Sequence, residues 1–305
     1  MDIKLERYKI FCTVVESGSF SAAAEKLYVT QSAVSQSIRS LEESLGATLF
    51  VRKKSGVTPT SMGTLLYDYA AGALSLLNAA ERKFGAYSSL SSGELSLGAS
   101  DTICRHVLLP ILKTFHDRYP AVRLSVSNRV TSEGVNDLQT GKTEIAFVNL
   151  PYPPLFEDSG IGCEKAIPLH DIFVASEDFR IPRGKKYDWK EIAELPLVML
   201  EKRSNSRCRV DEFFAAHGIR LSPEFELGSH ELLLAFAQAG LGVACVTKEF
   251  SEDVLNTGKL KILPTKGQLP ERNVGILTLS HSPLSAASRA FLEIFREQYA
   301  EHEKK

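Results

Sequence analysis

The sequence predicts a small helical N-terminal unit with a hairpin, a long connecting helix, and a larger α/β domain in two lobes. Three observations carry this. The first 60 residues hold three short stretches of helical apolar spacing and then a basic turn flanked by strand-like residues. Residues 60–87 hold one long helical stripe. Beyond the small-residue run Ser88-Ser89-Leu90-Ser91-Ser92-Gly93, strand-like and helix-like segments alternate to the end. A chain of 305 residues is also too long for one ordinary core.

Taken in order, Leu5, Tyr8, Phe11, Cys12 and Val15 have helical spacing, and Gly18 ends that helix. Ser21 is the expected N-cap of a short helix through Leu27, in which Ala22-Ala23-Ala24 permits close helix approach. After a turn at Tyr28-Val29, Thr30 is expected to cap a third helix ending near Leu45, with Gly46 as its stop. In that helix Val34, Ile38, Leu41 and Leu45 form one narrow stripe that must face a core. The opposite face carries Ser32, Ser35, Gln36 and Arg39, flanked by Gln31. Hydroxyls and amides suit hydrogen bonding to base edges, whereas a merely solvated helix favours Glu and Lys pairs there. Ala47 to Arg52 reads as a strand, Lys53-Lys54-Ser55-Gly56 as a turn and Val57-Thr58 as its return, the basic wing of a winged helix-turn-helix. Thr60 then caps a helix of about 40 Å whose stripe of Leu65, Leu66, Tyr69, Ala73, Leu76, Leu77, Ala80 and Phe84 needs a second subunit to cover it.

The remainder alternates. Strands are expected at 94–99, 122–127, 144–149, 172–175, 243–246 and 274–279, and helices at 105–119, 131–140, 206–217, 231–239 and 284–299, with Pro151-Tyr152-Pro153-Pro154 interrupting the pattern.

Composition excludes several classes. The chain is 44% hydrophobic and 24% charged, with no apolar run of membrane-spanning length. The residues after Met1 lack a basic-then-apolar leader pattern, and five scattered cysteines lack a CxxC pair, so a cytoplasmic protein with reduced thiols is expected, with no membrane partner. The net charge of −1 divides unevenly: residues 1–90 carry 10 Lys/Arg against 8 Asp/Glu, focused at Arg52-Lys53-Lys54. No phosphate loop, GxSxG, HExxH or paired Cys/His motif is present, so neither an enzyme nor a cofactor is expected.

Ser19-Phe20-Ser21-Ala22-Ala23-Ala24-Glu25-Lys26-Leu27, Thr30-Gln31-Ser32-Ala33-Val34-Ser35-Gln36-Ser37-Ile38, Leu41-Glu42, Leu49-Phe50-Val51-Arg52 and Thr60-Ser61-Met62-Gly63 resemble the headpiece of LysR-type transcriptional regulators over residues 5–65. Ala239-Gly240-Leu241-Gly242-Val243 is similar in the back half. The resemblance implies a winged helix-turn-helix at 1–59, a dimerising linker helix and hinge at 60–92, and an effector domain at 93–305. That domain would be a two-lobed α/β fold like type 2 periplasmic binding proteins, crossed twice by the chain. Lobe I is then 93–165 with 267–305, and lobe II is 166–266. The implied partners are double-stranded promoter DNA, a small-molecule effector, further copies of the chain as dimer or tetramer, and RNA polymerase.

With its N-terminal half in a major groove, the third helix would present Gln31 and Gln36 to adenine, Arg39 to guanine or phosphate, and Ser32 and Ser35 at close approach. Arg52, Lys53 and Lys54 of the wing would meet phosphates or a minor groove. For the effector, candidates sit at strand ends and helix starts: Ser100, Thr102, Thr131, Asn149, Ser204, Asn205, Ser206 and His230. These hydroxyl, amide and imidazole groups beside backbone N–H donors suit a carboxylate-bearing metabolite, although capping alone also explains Ser, Thr and Asn at helix starts. Cys208, between Arg207 and Arg209, offers an alternative redox trigger, without a resolving cysteine at an obvious spacing. His230 has no second ligand at metal spacing along the chain, so no metal is expected. Gln36→Ala is expected to abolish operator-specific binding while oligomerisation persists, read by footprinting beside size-exclusion chromatography; an unchanged footprint would place the reading face elsewhere.

Overall fold

The computed structural model describes residues 4–53, 56–86, 93–152, 160–182 and 184–302. The small-residue run Ser88–Ser92, the wing residue Lys54, and Pro153 and Pro154 lie outside the described residues. The chain divides into two compact units, residues 1–85 with 139–142 and residues 86–138 with 143–305.

The first unit comprises α1 (Leu5–Ser17), α2 (Phe20–Leu27), α3 (Gln31–Leu45), β1 (Phe50–Lys53), β2 (Gly56–Pro59) and α4 (Ser61–Ala86). Gly18 and Gly46 end α1 and α3 in the left-handed conformation at φ 63°, which glycine adopts without a Cβ penalty. Thr30 and Thr60 cap α3 and α4, accepting from Ala33 N–H at 3.3 Å and Gly63 N–H at 3.0 Å. The cap of α2 is Ser19 rather than the expected Ser21: the extended backbone of Ser19 lets its hydroxyl accept from Ala22 N–H, and α2 begins one residue later. Phe11, Val14, Ala23, Val34, Ile38, Leu41 and Leu49 are buried together, with Leu45 half-buried beside them. Strand β1 starts later than the sequence suggests because Leu49 N–H is taken by the Glu42 carboxylate at 2.6 Å, which turns the chain off α3 before pairing begins. Pairing is antiparallel, from Phe50↔Pro59 to Lys53↔Gly56.

Helix α4 contributes Ala70 to this core, while Leu65, Tyr69, Leu76 and Leu77 on it are exposed. Its start is pressed on the loop before β1: a Cβ at Gly63 would lie 2.2 Å from the Leu49 carbonyl oxygen.

The second unit runs β3 (Gly93–Ala99), α5 (Asp101–Ile103), a π-helical turn (Cys104–Leu108), α6 (Leu109–Arg118), β4 (Val122–Asn128), α7 (Thr131–Gln139), β5 (Ile145–Leu150) and β6 (Ile161–Leu169). It continues through β7 (Asp171–Ser176), α8 (Trp189–Ala193), β8 (Leu197–Leu200), α9 (Asn205–Ala216), β9 (Phe225–Leu227) and α10 (His230–Gln238). Strand β10 (Val243–Thr247), α11 (Glu252–Asn256), β11 (Leu260–Ile262), β12 (Arg272–Leu279) and α12 (Ala286–His302) complete it. The helix expected from 105 starts at Asp101, because the Ser100 hydroxyl caps Ile103 N–H. Strands β6, β8, β9 and β11 and helices α8 and α11 are additions to the sequence reading; all but β6 are five residues or fewer, too short for a clear period.

Two five-stranded sheets result, β4-β3-β5-β12-β6 in lobe I and β11-β7-β10-β8-β9 in lobe II. Strands β3, β4 and β5 pair in parallel and β12 runs antiparallel to β5 and β6. Phe115, Phe147, Phe291 and Phe295 fill the lobe I core, and Phe173 and Phe214 that of lobe II, with Trp189 packed edge-on to Phe214. The first crossing between lobes falls at His170, four residues beyond the expected 165/166 limit, since β6 stays paired to β12 as far as Leu169↔Arg272. The second crossing precedes Arg272, where β12 opens.

The two crossings are joined by one buried ion pair. Arg272 (2% exposed) donates from Nε and Nη2 to the two carboxylate oxygens of Asp171, both at 2.6 Å. Its remaining donors reach Asn149 Oδ1 and Thr247 Oγ1, each at 3.0 Å, and the Thr247 hydroxyl donates to Asp171 at 3.1 Å. Burial opposes the guanidinium charge, but Asp171 outweighs it and the group is held charged.

Gly63→Ala is expected to destabilise the first unit by about 1–3 kcal/mol, because the obstacle is backbone rather than a movable side chain; loss of hydrogen-exchange protection over α1–α3 measures it. Arg272→Met should cost about 3–5 kcal/mol by stranding the Asp171 carboxylate, with part of the loss recovered in the Arg272→Met/Asp171→Leu double variant. Urea unfolding followed by the single tryptophan, Trp189, reads both.

Candidate functional sites

Helix α3 presents the first site. Its apolar stripe is spent on the core, which fixes the rotation of the opposite face. Gln31, Ser32, Gln36 and Arg39 are exposed there and Ser35 is half-buried. Ser32 Oγ lies 3.0 Å from the Thr30 hydroxyl, so the cap and its neighbour share a hydrogen bond at the exposed end. Of the wing, Arg52 and Lys53 fall on β1, but their side chains lie outside the described residues, as does Lys54. The wing is held in place by Val57 N–H donating to Gly18 O at 2.9 Å, which ties β2 to the turn between α1 and α2. Tyr28, not singled out as a site in the sequence, stands 95% exposed at the α2–α3 turn in the left-handed conformation at φ 56°.

The second site is a cleft of about 250 Å³ between the lobes. Ser100, Thr102, Thr131, Asn149, Ser204, Asn205, Ser206 and His230 all line it, although they come from five separate stretches of chain. The first residues of α7, α9 and α10 are among them, so three helix N-termini, with their partial positive charge, converge on one space. Their side chains are not equally committed. Ser100 is used as a cap. Asn205 Nδ2 donates to Asn149 O at 2.6 Å and Pro151 O at 3.1 Å, so it tethers α9 to the end of β5, and Asn149 Oδ1 accepts from Arg272. Ser204 occupies the N-cap position of α9 without a side-chain cap bond, which leaves its hydroxyl for another partner.

His230 is 3% exposed. Its Nε2 accepts from Thr247 N–H at 3.3 Å and lies 3.3 Å from Ser251 Oγ. Burial pushes its imidazole down to about 4, which keeps it neutral near pH 7. The fold also brings beside it what spacing along the chain did not show. His106, from the π-helical turn, has its ring 6.0 Å from that of His230, and its Nε2 is 3.5 Å from Glu231 Oε1. Burial lowers the His106 imidazole as well, against the pull of Glu231.

Sequence reasoning also missed the charged lining. Arg129, at the end of β4, pairs with Asp137 at 2.6 Å, and Arg203, before α9, pairs with Glu201 at 2.6 Å. A basic residue just past a strand is the only trace either leaves in the sequence. On α9, Cys208 Sγ donates to Lys202 O at 3.1 Å, while Arg207 faces Asp211 at 2.9 Å and Arg209 faces Glu212 at 2.5 Å. No described helix is long and apolar enough to cross a membrane.

Comparison with known proteins matches both parts of the chain. Residues 5–64 match the model of the bacterial regulatory helix-turn-helix protein, lysR family, and residues 88–300 match the LysR substrate binding domain. The chain is 29% identical over 260 residues to the HTH-type transcriptional regulator CrgA of Neisseria meningitidis serogroup B, covering 85% of each chain. The structure of CrgA superposes with a TM-score of 0.56 at 27% identity, over 98% of this chain and 99% of CrgA. A full-length OxyR variant from Pseudomonas aeruginosa shares the fold with a TM-score of 0.65 at 20% identity, over 98% of this chain and 95% of OxyR. So does full-length CbnR in complex with its target DNA, at 0.53 and 20%, over 97% of this chain and 100% of CbnR. The chain therefore belongs to the LysR family: it is a DNA-binding transcriptional regulator with an effector-binding domain, and not an enzyme.

Proposed function

We propose that this regulator reads its operator through Gln31, Ser32, Ser35, Gln36 and Arg39 of α3, with Arg52, Lys53 and Lys54 of the wing on the backbone or in the minor groove. We propose too that a small anionic metabolite in the inter-lobe cleft modulates that binding. The observation that carries the second part is the convergence of three helix N-termini and eight polar side chains on one cleft. Backbone N–H groups at helix starts favour a carboxylate without requiring a net positive lining. The lining supplies none in any case, since Asp101 and Glu201 stand against Arg129 and Arg203. Exposed Leu65, Tyr69, Leu76 and Leu77 on α4 favour a second copy packed along that helix, as the unit of 60–92 would require. RNA polymerase is the expected further partner of the bound complex.

A redox trigger at Cys208 has less support. The arginines beside it are spent on carboxylates, and the thiol hydrogen is engaged by the Lys202 carbonyl. The test uses the full chain and a DNA fragment selected by it from a random pool. A panel of small mono- and dicarboxylates is screened by thermal shift and by footprint. At least one is expected to raise the melting temperature and alter the footprint in the wild type, with both responses reduced in Ser204→Ala. DNA selection without any carboxylate response would overturn the effector reading and spare the DNA one; failure to select any sequence would overturn the reading face.

A further inference from the structure

His106, His230 and Glu231 meet where the lobes face one another. His106 comes from the π-helical turn of lobe I, and His230 and Glu231 are the first two residues of α10 in lobe II. One ring nitrogen from each histidine and one oxygen of Glu231 lie within 4.8 Å of one another. Ligands of a tetrahedral zinc ion, bonded at about 2.0–2.2 Å, stand roughly 3.4 Å apart. His106 Nε2 and Glu231 Oε1, at 3.5 Å, already have that spacing, and the third donor, within 4.8 Å of both, needs a movement of at most roughly 1.4 Å to join them.

A second, independent observation concerns hydrogen bonding. His230 Nδ1 and Glu231 Oε1 are both buried without a hydrogen-bond partner among the described residues. Glu231 Oε1 has ion-pair contacts to His106 and Arg105 at 3.5 and 3.9 Å, and His230 Nδ1 has no partner among the described residues; a buried polar atom is normally satisfied, so the two together point to a third party that binds both. The surroundings suit a cation with soft-to-borderline preferences. Two imidazoles and one carboxylate form a zinc-type donor set, unlike the all-oxygen cages of calcium and magnesium. The rings are held by packing: His106 stacks on Phe250 at 5.2 Å, and His230 meets the same ring edge-on at 6.2 Å.

An outer partner is also present. With Nδ1 on a metal, the ring proton of His230 sits on Nε2 and is donated to Ser251 Oγ. That hydroxyl itself donates to Thr247 O at 2.7 Å, fixing its lone pairs toward the ring. The change gives up the 3.3 Å bond from Thr247 N–H. The opposing charge is Arg105, whose Nε lies 3.9 Å from Glu231 Oε1 on a side chain exposed enough to swing away.

We propose that His106, His230 and Glu231 form a site for a divalent transition metal ion, zinc fitting best, that bridges the two lobes. Three protein ligands leave a fourth position for water or an anion. Because one ligand comes from lobe I and two from lobe II, metal binding favours the closed arrangement of the cleft that His230 also lines. The site goes beyond the metabolite reading and is tested without DNA or metabolite.

The full chain, freed of affinity tag and stripped with chelator, is titrated with zinc chloride against a chromophoric zinc chelator and, separately, with cobalt chloride. One zinc per chain is expected, with a rise in melting temperature and the visible absorption of four-coordinate cobalt. His106→Gln, His230→Ala and Glu231→Gln should each weaken zinc binding at least tenfold. Glu231→Gln keeps the shape of its side chain, so its unaltered melting temperature without metal separates ligand loss from misfolding. His170→Ala removes a second histidine–carboxylate contact among the described residues, with Glu249 and Glu271, and should leave zinc binding unchanged. The proposal is overturned by the absence of stoichiometric zinc binding, by equal affinity in wild type and Glu231→Gln, or by loss of binding in His170→Ala.

Discussion

The effector domain is organised around the contact of Arg272 with Asp171. Each residue opens the strand that follows a crossing between lobes, and the pair is buried. A guanidinium taken out of water costs far more than one contact returns, so it persists only with its donors satisfied in good geometry. Asp171, Asn149 and Thr247 supply that geometry from β7, β5 and β10, binding elements of both sheets to one network of hydrogen bonds. Loss of any member strands the others.

The same network borders the cleft, through Asn149 and Thr247. Asn149 accepts from Arg272 with its side-chain Oδ1 and from Asn205 with its main-chain carbonyl. The second bond holds α9, and with it Ser204 and Ser206, against the end of β5. On the facing side, the π-helical turn places His106 toward α10. A local widening of this kind re-aims side chains without breaking a helix, and such turns recur at functional sites.

The N-terminal unit follows a different rule. Its core is small, and close backbone contacts do much of the positioning: Glu42 on Leu49, Gly18 on Val57, and Gly63 under the Leu49 carbonyl. These fix the wing and α4 relative to α3, whose buried stripe in turn aims Gln31, Gln36 and Arg39 outward. The proposed reading face is thus a consequence of core packing on its reverse side.

Local chemistry was legible in the chain because it depends on near neighbours. The α3 stripe, the Thr30 and Thr60 caps, the Gly18 and Gly46 stops and the strand–helix alternation all follow from periods of 3.6 or 2 and from backbone conformations that few residues adopt. The eight cleft residues were legible by a rule of location, strand ends and helix starts, which holds without knowing distances. Short strands such as β8 and β9, and a cap placed at Ser21 instead of Ser19, show where that local information thins out. What no local pattern encodes is contact across long separations. Asp171 and Arg272 are 101 residues apart, and His106 lies far from His230 in sequence. Only the two crossings of the chain bring them together, because desolvated partners must be found in space, and period and spacing carry no record of it.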